Sequence, residues 1–482
     1  LEDVVRFPGF CDQTYQEGAV DFVASRCVNL MPVTDTSGQA KSPRGLRKVP
    51  GLTTMITLAD DPVRCLWAGE DRVFAVAGAA YGEIVVGPTF ENRGTLAEDT
   101  QAAKIFSNGT QLLIYSGGKA YYDNGGAASG SNAVEITVAS GAADVTYIDG
   151  YGVLLGPNSN SVYISSLLDF STWDVLDVQE RTTTVDRLVG LRNHNGQLWL
   201  FGKRSIEIWY NSGNADFPFQ RVDGATLAVG TEYPDSIAEI DGSLFFVTVH
   251  NNGGAAVYRT RGASLERVST PGIEALLPPI QGNPIGWSYE EQGQKFYCIN
   301  FIASSGLSSF FYNCTDGKWH ERGHWNGTLF DSYLGRCHCF PTKGYGGFGG
   351  VHLVGARNSG KVYTQKFDNA DFDGTAIRMR RIAPHLSDED RRMLYHRFEL
   401  DVMTGNQASG TPDAELAWSN DSGRTWNTAQ TASLGASSDY SKRVYWHRLG
   451  SDRTRTFRVE IPTFAGPLAI QEAYINVTPG AA

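Results

Sequence analysis

Charge is what this chain has little of. Only 19% of its 482 residues are Asp, Glu, Lys or Arg, against about a quarter in an average globular domain. With 41 Lys+Arg against 52 Asp+Glu the formal net charge is -11, and there is no basic face of the kind that clamps phosphate. The densest basic cluster, Arg378 to Arg381, is answered by Asp388, Glu389 and Asp390. Cysteine is scarce and odd in number, with seven thinly spread residues at 11, 27, 65, 298, 314, 337 and 339. That excludes a disulfide framework and points to synthesis in a reducing compartment. No apolar run approaches the roughly 18 residues of a membrane helix. The opening Leu1-Glu2-Asp3 has neither the basic nor the apolar segment of a secretion signal. The expectation is a soluble chain with no membrane span, in which Asn-x-Ser/Thr matches such as Asn108-Gly-Thr110 are coincidental.

Glycine, by contrast, is plentiful. The 54 Gly and 19 Pro, with 41% hydrophobic and 11% aromatic residues, exclude disorder, collagen and coiled coil and predict a turn-rich, mostly β protein of more than one domain. A hairpin unit recurs about seven times between residues 60 and 367: an apolar run, a tight turn with Gly, and a second apolar or aromatic run. Clear examples are Val145-Thr-Tyr-Ile-Asp-Gly-Tyr-Gly-Val-Leu-Leu155, Leu188 to Phe201 and Ile237 to Val247. Looser ones begin at Trp287 and Gly349. The turn glycines Gly109, Gly150, Gly196, Gly242 and Gly293 are 41 to 51 residues apart, the spacing of β-propeller blades. Asn-Gly and Asp-Gly supply the positive φ that a two-residue hairpin turn requires.

The predicted fold is therefore all-β, a β-propeller of six or seven blades over 60–367. It is preceded by an extended N-terminal arm (1–59) and followed by a linker (368–394) and a C-terminal β-sandwich (395–482). The sandwich rests on period-two runs such as Tyr395-His-Arg-Phe-Glu-Leu-Asp-Val402 and Thr456-Phe-Arg-Val-Glu-Ile461. Within the linker, Ser387 followed by Asp388, Glu389 and Asp390 has the form of a helix start.

Three constellations invite a chemical reading. His320, His324, Cys337 and Cys339 are chemically able to hold zinc, though core thiols and turn histidines are the preferred reading. Ser419-Asn-Asp-Ser-Gly-Arg-Thr-Trp426 matches the box repeated on sialidase propellers. It occurs once, outside the repeats, and is read as a hairpin device built on Asp421, Gly423 and Trp426. Gly344-Tyr-Gly-Gly-Phe-Gly349 fits Gly-x-Gly-x-x-Gly but leads into a strand, where a dinucleotide site needs a helix. No catalytic, cofactor-binding or metal-ligating residue is assigned, no cofactor is called for, and no enzyme is expected. The alternative is a glycan-binding or glycoside-hydrolase-like propeller, which requires an aromatic-rimmed polar pocket at the propeller centre with perturbed carboxylates. An arginine cluster on the central strands would favour it.

Arg26 to Val33 running into Leu46-Arg-Lys-Val-Pro-Gly51, Phe201-Gly-Lys-Arg-Ser-Ile-Glu-Ile-Trp-Tyr210, and Asp439 to Gly450 with Phe457-Arg-Val-Glu-Ile461 resemble the tail hub, or nozzle, protein of short-tailed bacteriophages (podoviruses), the packaged-DNA stabilisation protein family. The resemblance implies a virion tail protein assembled in the host cytoplasm as a homohexameric tube. That tube would join the dodecameric adaptor (head-to-tail connector) ring below the portal, be closed by a needle or plug, and be flanked by tailspikes or fibres. It further implies that DNA leaves through the lumen without sequence-specific binding. A lumen that DNA slides along should be lined by Asp, Glu, Asn, Ser and Gly rather than Lys and Arg, since basic rings would release counterions and bind tightly. The single chain is expected to stay monomeric until the adaptor templates the ring.

Overall fold

The computed structural model describes residues 4–16, 24–35, 37–39, 41–69, 71–126, 132–249, 254–277, 283–301, 306–342, 348–408 and 410–480. Regular structure among them is β apart from one helix, Pro271–Leu276, capped by Thr270 Oγ1 accepting from Ile273 N at 3.3 Å, and one helical turn at Pro234–Ser236.

The hairpin turns behave as their residues dictate. Asp149-Gly150, Asn195-Gly196, Asp241-Gly242 and Gln292-Gly293 all have positive φ at both positions (50° and 89°, 53° and 71°, 54° and 62°, 52° and 74°). This is the mirror-image turn whose twist matches the flanking strands. Gly109 differs. It sits in a four-residue loop in which Asn108 Oδ1 accepts from the backbone of Thr110 (3.0 Å) and Gln111 (2.7 Å), so Asn108 makes the turn with its side chain.

These hairpins build seven four-stranded blades around an axis. The strands nearest the axis are Val63–Gly69, Lys104–Ser107, Asp144–Ile148, Leu188–His194, Ala238–Ile240, Pro284–Glu291 and Gly335–Cys339. Apolar side chains fill the gaps between blades, as where Phe201 meets Phe246 edge-on at 5.5 Å and Phe245 stacks on Tyr297 at 5.1 Å. The seventh blade is closed from the other end of the chain. Its outermost strand is Gly51–Thr57, antiparallel to Lys361–Lys366.

The expected N-terminal arm is thus, in its described part, woven into both domains. Besides Gly51–Thr57, Ala24–Val28 pairs with Met379–Ile382, and Leu30–Thr34 pairs with Arg44–Lys48 in a sandwich sheet. An isolated strand leaves its N–H and C=O groups unpaired, and sheet edges supply the partners. The two sandwich sheets follow the strand orders Leu30–Thr34, Arg44–Lys48, Ala469–Pro479, Met393–Val402, Val444–His447, and Ala24–Val28, Met379–Ile382, Thr454–Ile461, Asp413–Ser419, Gln430–Ser433. Between them Phe398 packs on Phe457 at 5.2 Å and Phe7 on Phe398 at 5.9 Å. The same core continues through Leu52 and Phe372 to Tyr333 and Trp287 in the propeller, and Asn29 pins the junction by hydrogen bonds with Gly323 and Arg378 O.

The helix expected from Ser387 does not form. Leu386–Ser387 is a short strand, Glu389 and Asp390 have positive φ (44° and 60°), and Met393 opens a sandwich strand. The capping signal is present, but the apolar residues that would make a helix face are used by the sheet, and one isolated turn cannot nucleate.

Candidate functional site: the axial cavity of the propeller

All seven inner strands contribute to a cavity of about 520 Å3. Packing is tight around it. A Cβ on Gly286 would lie 2.2 Å from Ser236 O, so the sixth blade approaches the fifth only because that residue is glycine.

At the end where the inner strands begin, the cavity is closed by charge. Arg64 in the first blade is 1% exposed. Its Nε donates to Gln101 O (3.0 Å), its Nη1 to Ser116 Oγ (2.8 Å) and Gly78 O (3.1 Å), and it forms an ion pair with Asp99. Arg336 in the seventh blade donates from Nη2 to Thr100 O at 2.5 Å. Asp235, entering the fifth blade, accepts from Ala102 N at 3.1 Å, and Asn283 Nδ2 at the start of the sixth donates to Gln101 Oε1 at 2.5 Å. The segment from Asp99 to Ala102, which joins the first blade to the second, is therefore held by blades on opposite sides of the ring and stops one end of the axis.

Asp144 completes this layer. Its buried carboxylate accepts from Lys104 Nζ (2.6 Å), Val145 N (2.8 Å), Arg192 Nη1 (2.9 Å) and Leu191 N (2.9 Å). Burial pulls the Lys104 ammonium below its ordinary range; Arg192 adds to that and Asp144 opposes it. Burial pushes the Asp235 carboxyl up, with Lys104 opposing.

The other end is apolar and half-open, lined by half-buried Trp67, Phe106 and Tyr147 and by exposed Glu239, whose Oε1 lies 3.0 Å from His194 Nδ1. The wall thiols of Cys65 and Cys337 are pushed up by burial, Cys337 to about 12, so neither is a thiolate near neutrality. Three arginines, Arg64, Arg192 and Arg336, do stand on central strands. Arg64 and Arg192 are committed to carboxylates and backbone carbonyls; Arg336 keeps one buried nitrogen, Nε, without a hydrogen-bond partner among the described residues. Their one sequence signal is a lone charge inside an apolar strand, as in Val63-Arg64-Cys65-Leu66.

The residues singled out by motif lie elsewhere. His320, on the outer strand of the sixth blade, packs on Phe311 and takes a hydrogen bond from Arg322 Nε. His324 lies in the hairpin after it. Cys337 and Cys339 belong to the inner strand of the seventh blade. The four do not converge, and no cluster of three or more potential ligands occurs among the described residues. Asp421 accepts from Ser419 Oγ (2.6 Å) and Thr425 N (2.8 Å), Gly423 has φ +88°, and Trp426 lies under Arg458, which makes the box a hairpin device. Residues 344–347 of the Gly344–Gly349 loop lie outside the described residues. In the basic cluster, Arg378 and Arg380 pair with Glu460, while Arg381 is buried and donates to Phe10 O (2.6 Å) and Gly9 O (2.8 Å). All seven cysteines are free thiols, and among the described residues no helix is long and apolar enough to cross a membrane.

The fold defines a β-propeller protein with an appended β-sandwich, the two sharing strands and one apolar core. Residues 11–291 match the family described as Bacteriophage P22 Gp10, beta-propeller, and residues 378–478 the family described as Bacteriophage P22 Gp10, beta-sandwich. The chain belongs to the bacteriophage P22 Gp10 family of packaged-DNA stabilisation, or tail nozzle, proteins, and is a structural protein of a phage tail. No curated protein matches it in sequence. Solved structures with similar folds include the N-terminal domain of Nup159 (12% identity, 71% of this chain and 99% of that one, TM-score 0.42). Another is PorZ of the Porphyromonas gingivalis type-IX secretion system (9% identity, 72% and 44%, TM-score 0.38).

Proposed function

We propose that this chain forms the hub, or nozzle, of its phage tail: a homohexameric tube below the portal–adaptor complex that retains packaged DNA and conducts it during ejection. The observation that carries the reading is the match of both domains, in order, to one tail-protein family. In this reading the chain assembles in the host cytoplasm, and its partners are further copies of itself, the adaptor, a needle or plug, and tailspikes or fibres. Because Asp99–Ala102 stops the axis of each propeller, the conduit lies between copies and not within one. The net charge of -11 suits a lumen that repels phosphate and lets DNA slide.

One surface supports association. Leu167, Leu168, Val175, Leu176 and Val185, 58 to 106% exposed, all belong to the outer hairpin of the third blade and the turn that follows it. Exposed apolar side chains strung along one blade edge offer a surface for contact, and in this reading the contact is with a neighbouring copy. Light scattering of the chain alone and with adaptor, followed by electron microscopy, tests the proposal. A six-fold ring with an open lumen on the adaptor is expected; a chain that never assembles with adaptor, or a ring without a lumen, refutes it.

A further inference from the structure

The closed end of the axial cavity is not balanced in charge. Four cations, Arg64, Lys104, Arg192 and Arg336, face three carboxylates, Asp99, Asp144 and Asp235. Asp99 is taken by Arg64, and Asp144 is shared by Lys104 and Arg192. Arg336, 1% exposed, has no carboxylate within ion-pair distance among the described residues. Its only hydrogen bond there is the one to Thr100 O, and its Nε is unpaired. A buried guanidinium short of acceptors is costly, and this one lines a cavity large enough for a small molecule, reached through the half-open end beside Trp67 and Phe106.

We infer that the axial cavity binds a small oxyanion against Arg336. The guanidinium has Thr100 O as its one hydrogen-bond acceptor among the described residues, so its charge draws an oxyanion to the cavity wall, where a charge-assisted bond is shorter and stronger than one to a neutral acceptor. The added negative charge balances the fourth cation. Asp235 sets a limit on affinity, since its carboxylate shares the floor with the anion; burial already pushes it toward the neutral form. The inference does not depend on the oligomeric reading above, because every group in it comes from one chain.

Inorganic phosphate is the probe, titrated by calorimetry and thermal melting into the full chain against sodium chloride of equal ionic strength. Saturable binding with a rise in Tm that chloride does not reproduce is expected. Arg336→Gln should weaken phosphate binding by roughly tenfold or more, and Asp235→Asn, which keeps an acceptor for Ala102 N, should tighten it several-fold. Absence of saturable binding, or a phosphate affinity unchanged in Arg336→Gln, overturns the inference. If Arg336→Gln fails to fold, Asp235→Asn decides alone: tighter binding supports the site, and unchanged or weaker binding refutes it.

Discussion

Leu52 stands opposite Gln365 across the pairing of Gly51–Thr57 with Lys361–Lys366, so the propeller ring is closed by strands more than 300 residues apart. Leu52 is fully buried in the core that runs on into the sandwich. Leu52→Ala removes side-chain contacts from both domains and should cost about 2–5 kcal/mol. Urea denaturation should show this as one lowered midpoint for the whole chain. A separate early transition of the sandwich alone would contradict the shared core.

The Asp144 carboxylate has four donors and holds two cations in the floor of the cavity. Asp144→Asn keeps its size but leaves Lys104 and Arg192 uncompensated, and a loss of about 2–4 kcal/mol is expected. Adding Lys104→Met to that variant should recover part of the loss, which a double-mutant cycle measures.

His338 Nε2 lies 2.9 Å from His352 Nδ1, beneath Trp287. Burial, with the neighbouring His352, pulls its pKa down from 6.5 to about 3, and burial lowers that of His320 in the same direction. The unfolded chain therefore takes up protons below pH 6.5 that the folded chain refuses. The stabilisation is complete above pH 6.5 and is lost as pH falls towards 3, by roughly 2 kcal/mol for His338 between pH 6.5 and 5. His338→Gln should flatten the dependence of urea midpoint on pH over that window; an unchanged slope would refute the assignment.

Val175 and Leu176 are 62 and 82% exposed on the outer edge of the third blade. Val175→Asp with Leu176→Asp should shift stability of the free chain by less than about 1 kcal/mol, as surface substitutions do. Ring formation on the adaptor should be abolished. Light scattering reads the assembly and thermal melting the fold, so a variant that melts normally and still assembles removes this edge from the interface.

Much of the propeller was legible because its hairpins are local. Asp149-Gly150, Asn195-Gly196 and Asp241-Gly242 carry their turn geometry in two adjacent residues, and the apolar runs beside them are the strands they connect. Gln292-Gly293 adopts the same turn without an Asn or Asp, and Gly109 sits in a different one, so the dipeptide marked the hairpin more reliably than it marked the turn type. The Ser387 segment misled because capping residues describe only a helix end, and the sheet claimed the residues beyond it. The floor of the cavity was hidden for another reason: Arg64, Thr100, Asp235 and Arg336 span 272 positions of chain, and nothing local in any of them refers to the others.

The sequence by itself determined what depends on near neighbours: an all-β chain, repeated hairpins with turns at Gly150, Gly196 and Gly242, a C-terminal sandwich, and a charge that does not favour gripping DNA. Only the tertiary structure decided that Gly51–Thr57 completes the seventh blade, that Ala24–Val28, Leu30–Thr34 and Arg44–Lys48 belong to the sandwich, and that Asp99–Ala102 stops the axis. Those outcomes are choices among partners for exposed strand edges and buried charges. Any edge or any counter-charge satisfies the local chemistry, and the one selected is whichever the closed ring brings within reach.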